Sequence, residues 1–168
     1  MADLKLQALD TEDLKVISAH CQDAIVRVAD LAYEPRERRF ALLCNRFDWH
    51  QASRRRSWFF WRQYARRQAG LRFEGVRRVR FQGFQPADGQ KSPDAALTLL
   101  AITFTPDAEA SPSGHITLSF GGGATLRLDV DCIEAELRDL GAVWSTDKKP
   151  DHGPDRVAET EATSQTKI

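Results

Sequence analysis

A chain of 168 residues, 42% apolar and 29% charged with a formal net charge of zero, is long enough for one domain and apolar enough for one core. It holds no apolar run of the roughly 18–20 residues needed to cross a bilayer, and its start, Met-Ala-Asp-Leu-Lys, lacks the apolar stretch of a secretory leader. Cys21, Cys44 and Cys132 are odd in number, far apart and in no Cys-x-x-Cys, which argues against a disulfide framework and for reduced thiols, most of them buried, in a soluble cytoplasmic protein.

In chain order, the first predicted element is a helix over about 11–21. Asp10 is a suitable N-cap, Leu9 can staple to Leu14, and Leu14, Ile17 and Cys21 form one stripe. The β-branched and apolar stretch 24–33 reads as a strand, 33–38 as a turn around Pro35, and 39–49 as the return strand. That return strand has Phe40, Leu42 and Cys44 on one face and Leu43, Phe47 and Trp49 on the other, which suits a central position. Residues 53–69 fit either a helix or a twisted excursion between strands. Strands are expected at 71–73 and 76–84, separated by Glu74-Gly75, with Arg78 and Arg80 making one face of the second cationic. After a loop over 85–94 comes a strand at 97–105, and after a loop over 106–114 the clearest signal in the chain. Ile116, Leu118 and Phe120 alternate with polar residues, Gly121, Gly122 and Gly123 turn, and Leu126, Leu128 and Val130 alternate again, so 115–120 and 124–130 form an antiparallel hairpin. A helix over 132–140 is then expected, with Asp131 as cap, Glu134 as its capping-box partner, Ile133, Leu137 and Leu140 as the stripe and Gly141 as the stop. The polar remainder reads as tail.

These elements predict an α+β fold. Its core is a mostly antiparallel sheet or half-barrel of about six to seven strands, between an N-terminal helix and a C-terminal capping helix. Strands closed by a C-terminal helix are similar in topology to a pleckstrin-homology domain. Residues 1–145 would form the single domain and 146–168 a disordered polar tail.

Four stretches carry a resemblance. They are 6–24, beginning Leu-Gln-Ala-Leu-Asp-Thr-Glu-Asp-Leu; 39–49; Gly-Leu-Arg-Phe at 70–73; and 128–141, Leu-Asp-Val-Asp-Cys-Ile-Glu-Ala-Glu-Leu-Arg-Asp-Leu-Gly. Over about 4–145 the chain resembles a small bacterial family known only as a domain of unknown function (2948). The resemblance implies a soluble bacterial protein and transfers no activity or site residue.

Candidate chemistry is sparse. The histidines His20, His50, His115 and His152 have no metal-ligand spacing, and no cofactor is called for. Cys132 at the start of the expected second helix is placed for thiolate activation by the helix dipole, but Asp129, Asp131, Glu134 and Glu136 oppose a low pKa and no base is near in sequence. A buried, inert thiol is the stronger reading. An enzyme of unrecognised type with its site at Cys132 and these carboxylates is the rival function. Asp129 and Asp131 form an Asp-x-Asp that reads better as a solvated face than as a Mg²⁺ site. The glycine triplet is a turn rather than a phosphate cradle, and His115 with Ser119 lacks the third member of a triad.

The charge is unevenly spread. Residues 54–80 hold ten arginines against Glu74 alone, while 1–53 sum to −2 and 81–168 to −7. Arg54, Arg55, Arg56, Arg62, Arg66, Arg67, Arg77, Arg78 and Arg80 are interleaved with Trp58, Phe59, Phe60, Trp61 and Tyr64, joining phosphate-pairing forks to stacking faces. The expected function is a non-catalytic binding or accessory module whose 54–80 surface meets a nucleic acid, an anionic membrane surface or an acidic protein. The competing view places the aromatics in the core and pairs the arginines with the acidic C-terminal third.

Overall fold

Asp10 caps the helix as its sequence predicts: its carboxylate accepts from the Asp13 amide at 2.8 Å, and α1 runs Thr11–Cys21 with Leu14, Ile17 and Cys21 buried. The computed structural model describes residues 3–48, 66–85 and 95–144. Within them α1 is the only α-helix, and everything else regular is strand apart from the short 3-10 turn at Gly121–Gly123. The strands are β1 Lys5–Ala8, β2 Ala24–Glu34, β3 Arg39–Phe47, β4 Arg66–Phe73, β5 Val76–Gln82, β6 Ala96–Pro106, β7 Gly114–Phe120, β8 Thr125–Val130 and β9 Ala135–Trp144.

All nine belong to one antiparallel sheet in the order β1-β9-β4-β3-β2-β6-β7-β8-β5. Chain neighbours β4 and β5 lie third and last in that order, and β8 and β9 eighth and second. Short connections between such distant strands require the sheet to curl. Backbone bonds tie its two ends where they meet: Val76 N–H donates to Arg38 O at 2.7 Å, Glu74 N–H to Glu134 O at 3.0 Å, and Asp131 N–H to Gly75 O at 3.2 Å. α1 packs mainly on β6, with β1 and β3 beside it, and Ser18 Oγ accepts the Ile102 amide at 2.9 Å. One core fills the concave side, including Leu14 and Ile17 of α1, Phe40 and Leu42 of β3, Leu71 and Phe73 of β4, and the inward rows of β7 and β8.

The hairpin forms as predicted, with Gly122 and Gly123 at φ of 79° and 83° in its turn. The expected fold class does not hold. The sheet has nine strands rather than six or seven, and the C-terminal capping helix is absent because 135–144 is β9, hydrogen-bonded to both β1 and β4. With a strand in place of the helix expected at 132–140, the likeness to a pleckstrin-homology half-barrel falls as well. Ile133, Ala135, Leu137 and Asp139 are buried in alternation while Leu140 is 49% exposed, so the period is two and not 3.6. Gly141 does adopt a left-handed φ of 99°, but within a strand, where β9 bulges against β4 between Arg67 and Ala69. β4 likewise starts at Arg66, five residues before the expected strand, and β1 precedes α1 where no strand was expected. The predicted tail, 146–168, lies outside the described residues.

Candidate functional site

The basic segment is rooted in the sheet. β3 and β4 pair out to Phe47↔Arg66, so 49–65 joins two strand ends held side by side. Arg54, Arg55, Arg56, Trp58, Trp61, Arg62 and Tyr64 fall in that connection and lie outside the described residues, as does most of the stretch 53–69 read as helix or excursion; its last four residues, 66–69, are strand of β4. Of the remaining expected contacts, Arg66 places its guanidinium 4.4 Å from the centre of the Phe47 ring.

Beneath that pair the inward faces of β3, β4 and β9 carry charge where the alternation calls for apolar residues. Arg46, Asp48, Arg67 and Asp139 are all buried. Arg46 grips Asp139 with two parallel bonds, Nε to Oδ1 at 2.9 Å and Nη2 to Oδ2 at 2.7 Å. Arg67 Nε donates to Asp48 Oδ2 at 2.7 Å, and its Nη1 lies 3.5 Å from Asp3 and 3.9 Å from Asp139. The Leu4 amide adds a bond to Asp139 Oδ2 at 3.0 Å. Burial raises the Asp139 carboxyl, but the bonds from Arg46 and Leu4 and the charges of Arg46 and Arg67 outweigh it and hold it below its ordinary range. Arg67 is therefore part of a buried network and does not stand on an open cationic face.

Most described arginines of β4 and β5 also find carboxylates. Arg72 lies 3.1 Å from Glu74 and 3.7 Å from Glu136; Arg77 lies 3.4 Å from Asp131 and 3.5 Å from Asp107; Arg80 lies 2.6 Å from Asp129. Arg78, exposed on β5, makes no ion pair or hydrogen bond among the described residues. The acids come largely from the C-terminal third, as the competing view anticipated for this part of the segment.

Cys21 and Cys44 are buried, and the hydrogen bond they share, with burial, pushes Cys21 well above the ordinary thiol range while it lowers Cys44. Cys132 is exposed rather than buried, because the β8–β9 connection that carries it runs over the surface. No helix follows it, so the dipole argument for its activation lapses. Asp131 pairs with Arg38 and Arg77, and Asp129 with Arg80 and Arg127, so the Asp-x-Asp carboxylates are already engaged. No group of three or more His, Cys, Asp or Glu able to hold a metal occurs among the described residues, and none of their helices is long and apolar enough to cross a membrane. A shallow cleft of ≈ 550 Å³ between β1 and β9, edged by Lys5, Arg138 and Leu140, brings no nucleophile against a base.

A family model described as Protein of unknown function (DUF2948) matches residues 4–152. The chain belongs to this family. No curated protein and no solved structure matches it. The DUF2948 match takes in every strand of the sheet and the basic connection between β3 and β4.

The buried charges of this DUF2948 chain escaped the sequence reading, although a signal was present. Extending Phe40, Leu42, Cys44 by twos reaches Arg46 and Asp48, and extending Phe73, Leu71, Ala69 backwards reaches Arg67. Opposite charges at the ends of two inward rows mark a buried ion pair as well as a strand end.

Proposed function

We propose that this protein is a non-catalytic binding module that offers residues 54–64 to an anionic partner. The observation that carries the reading is a contrast in charge pairing. Arg67, Arg72 and Arg77 are committed to carboxylates within the fold. The connection 49–65 has four arginines, six aromatic residues and no Asp or Glu of its own. Guanidinium groups interleaved with stacking rings suit phosphate-bearing ligands, and the paired ends of β3 and β4 give that segment a fixed base.

Replacing Arg54, Arg55 and Arg56 by Ser tests it. Binding of the full chain to single-stranded RNA, duplex DNA and anionic liposomes should be measured at two salt concentrations. The expected result is micromolar or weaker binding at low salt, with the log–log salt slope on duplex DNA flattened by up to about 2.7 in the variant, about 0.9 per lost phosphate contact. The melting temperature should stay the same. Absence of binding to all three by the unaltered chain removes the reading. A variant that unfolds would show these arginines to be structural.

A further inference from the structure

The outer face of β5, β8, β7 and β6 is a polar grid. Residues directly opposite on antiparallel strands share a face, and the register gives three rows across it. The first is Arg78, Asp129, His115, Thr105; the second Arg80, Arg127, Thr117, Thr103; the third Gln82, Thr125, Ser119, Ala101. Ile116, Leu118, Leu126 and Leu128 on the opposite side of the same strands are buried in the core, so the grid stands on a packed floor.

Three guanidinium groups on this grid face one carboxylate. Asp129 accepts from Arg80 at 2.6 Å and from Arg127 Nε at 3.3 Å. Burial raises its pKa, yet the bonds and charges of Arg80 and Arg127 outweigh that and lower it, so it stays ionised and the patch sums to two positive charges. Arg127 Nη2 lies 3.1 Å from His115 Nδ1. A guanidinium only donates, so in this bond Nδ1 is the acceptor. Donors remain in quantity. Arg78 is unbonded among the described residues, Arg80 gives one N–H of its five to Asp129, and the hydroxyls of Thr103, Thr117 and Thr125 line the rows.

What the grid lacks narrows its partner. The only apolar residue in the three rows is Ala101, with Leu100 45% exposed beside it in the β6 bulge, so the face lacks the aromatic residues with which an interfacial membrane surface inserts. Apart from His115 it has no ring, so it offers little of the stacking platform on which single strands rely. A duplex stacks its bases inside and turns phosphates outward. Side chains on adjacent strands about 4.8 Å apart and on alternate residues about 6.8 Å apart set the three arginines close enough together to meet phosphates along one strand.

We propose that this face binds the phosphate backbone of a nucleic-acid duplex, without reading sequence, through Arg78, Arg80 and Arg127. The inference rests on the reading of the protein as an anion binder but concerns residues other than 54–64. Its test is titration of the ¹⁵N-labelled full chain with a short duplex DNA at low salt. Amide shifts should cluster at 78–82, 115–119 and 125–129. Arg78→Ser should flatten the log–log salt slope by about 0.9, the value of one phosphate, with an unchanged melting temperature, and Arg78→Lys should retain the slope. Binding with shifts confined to residues outside the grid overturns this inference and leaves the 54–64 proposal standing. Shifts on the grid that persist when Arg54, Arg55 and Arg56 are Ser, with undiminished affinity, support it and sink the other. Grid shifts produced by anionic vesicles but not by duplex overturn the assignment to nucleic acid.

Discussion

Asp139 accepts three hydrogen bonds with a side chain that is 1% exposed, and two buried arginines depend on it. Removing one member of such a pair strands a charge in a low-dielectric interior, so Asp139→Asn should destabilise by about 3–5 kcal/mol, measured by urea unfolding at pH 7. Replacing Arg46 by Met and Asp139 by Leu together should recover much of that loss, since a well-packed apolar pair carries no desolvation penalty. The lowered pKa of Asp139 fixes the sign of the acid response. Its stabilisation is complete above the unfolded carboxylate value of about 3.9 and is lost as pH falls through the lower folded value. Unfolding free energy should therefore decline below about pH 4, and more gently in Asp139→Asn. A variant as stable as the parent at pH 7 would contradict the account.

At the scale of elements, 132–141 shows how two periods can coexist in one stretch. Ala, Glu, Leu and Arg are good helix formers, and Ile133, Leu137 and Leu140 have helical spacing. A nine-residue helix is marginal alone, whereas a strand there completes backbone pairing for β1 and β4 on both sides at once. Pairing decides it. Close approach of backbones governs the other half of the sheet, where Gly114 sits between Pro106 and Val130. A Cβ on Gly114 would stand 2.3 Å from Thr105 O and 2.8 Å from Pro106 Cα, both backbone atoms that cannot turn aside. Gly114→Ala should cost about 3 kcal/mol, the upper end for overpacking, seen as a lower thermal midpoint. An unchanged midpoint would mean that the β6–β7 pairing can separate there freely.

For the molecule as a whole, one contiguous core spans both ends of the curled sheet. Phe40 of β3 and Phe120 of β7 are 1% and 2% exposed within it, though their strands lie on opposite sides of β2 and β6. The described residues should therefore unfold together. Urea transitions followed by the backbone amide signals of β3 and by those of β7 should coincide, and Phe40→Ala should shift both by the same amount, about 3–5 kcal/mol. Two separated transitions would show that the halves of the sheet are independently stable. The same closure disposes the charge. A sequence that is cationic over 54–80 and acidic after 81 folds so that Asp107, Asp129, Asp131, Glu136 and Asp139 meet Arg67, Arg72, Arg77 and Arg80.

Local chemistry was legible in the sequence wherever one short-range rule acted alone. Asp10 and its stripe specified α1, and alternation around Gly121–Gly123 specified the β7–β8 hairpin, because cap, period and turn all lie within a few residues of one another. The inward face of β3 was equally plain as far as Cys44. Beyond Cys44 the rule of apolar-in, polar-out broke, since Arg46, Asp48, Arg67 and Asp139 are inward and charged. Each alone reads as a surface residue, and only their meeting across three strands makes burial affordable. For the same reason β4 was read short, β9 was read as a helix, and the fate of the arginines stayed open. The partners that satisfy them lie as much as 93 positions away, as with Arg46 and Asp139, and pairing over that distance is set by sheet closure rather than by any local pattern.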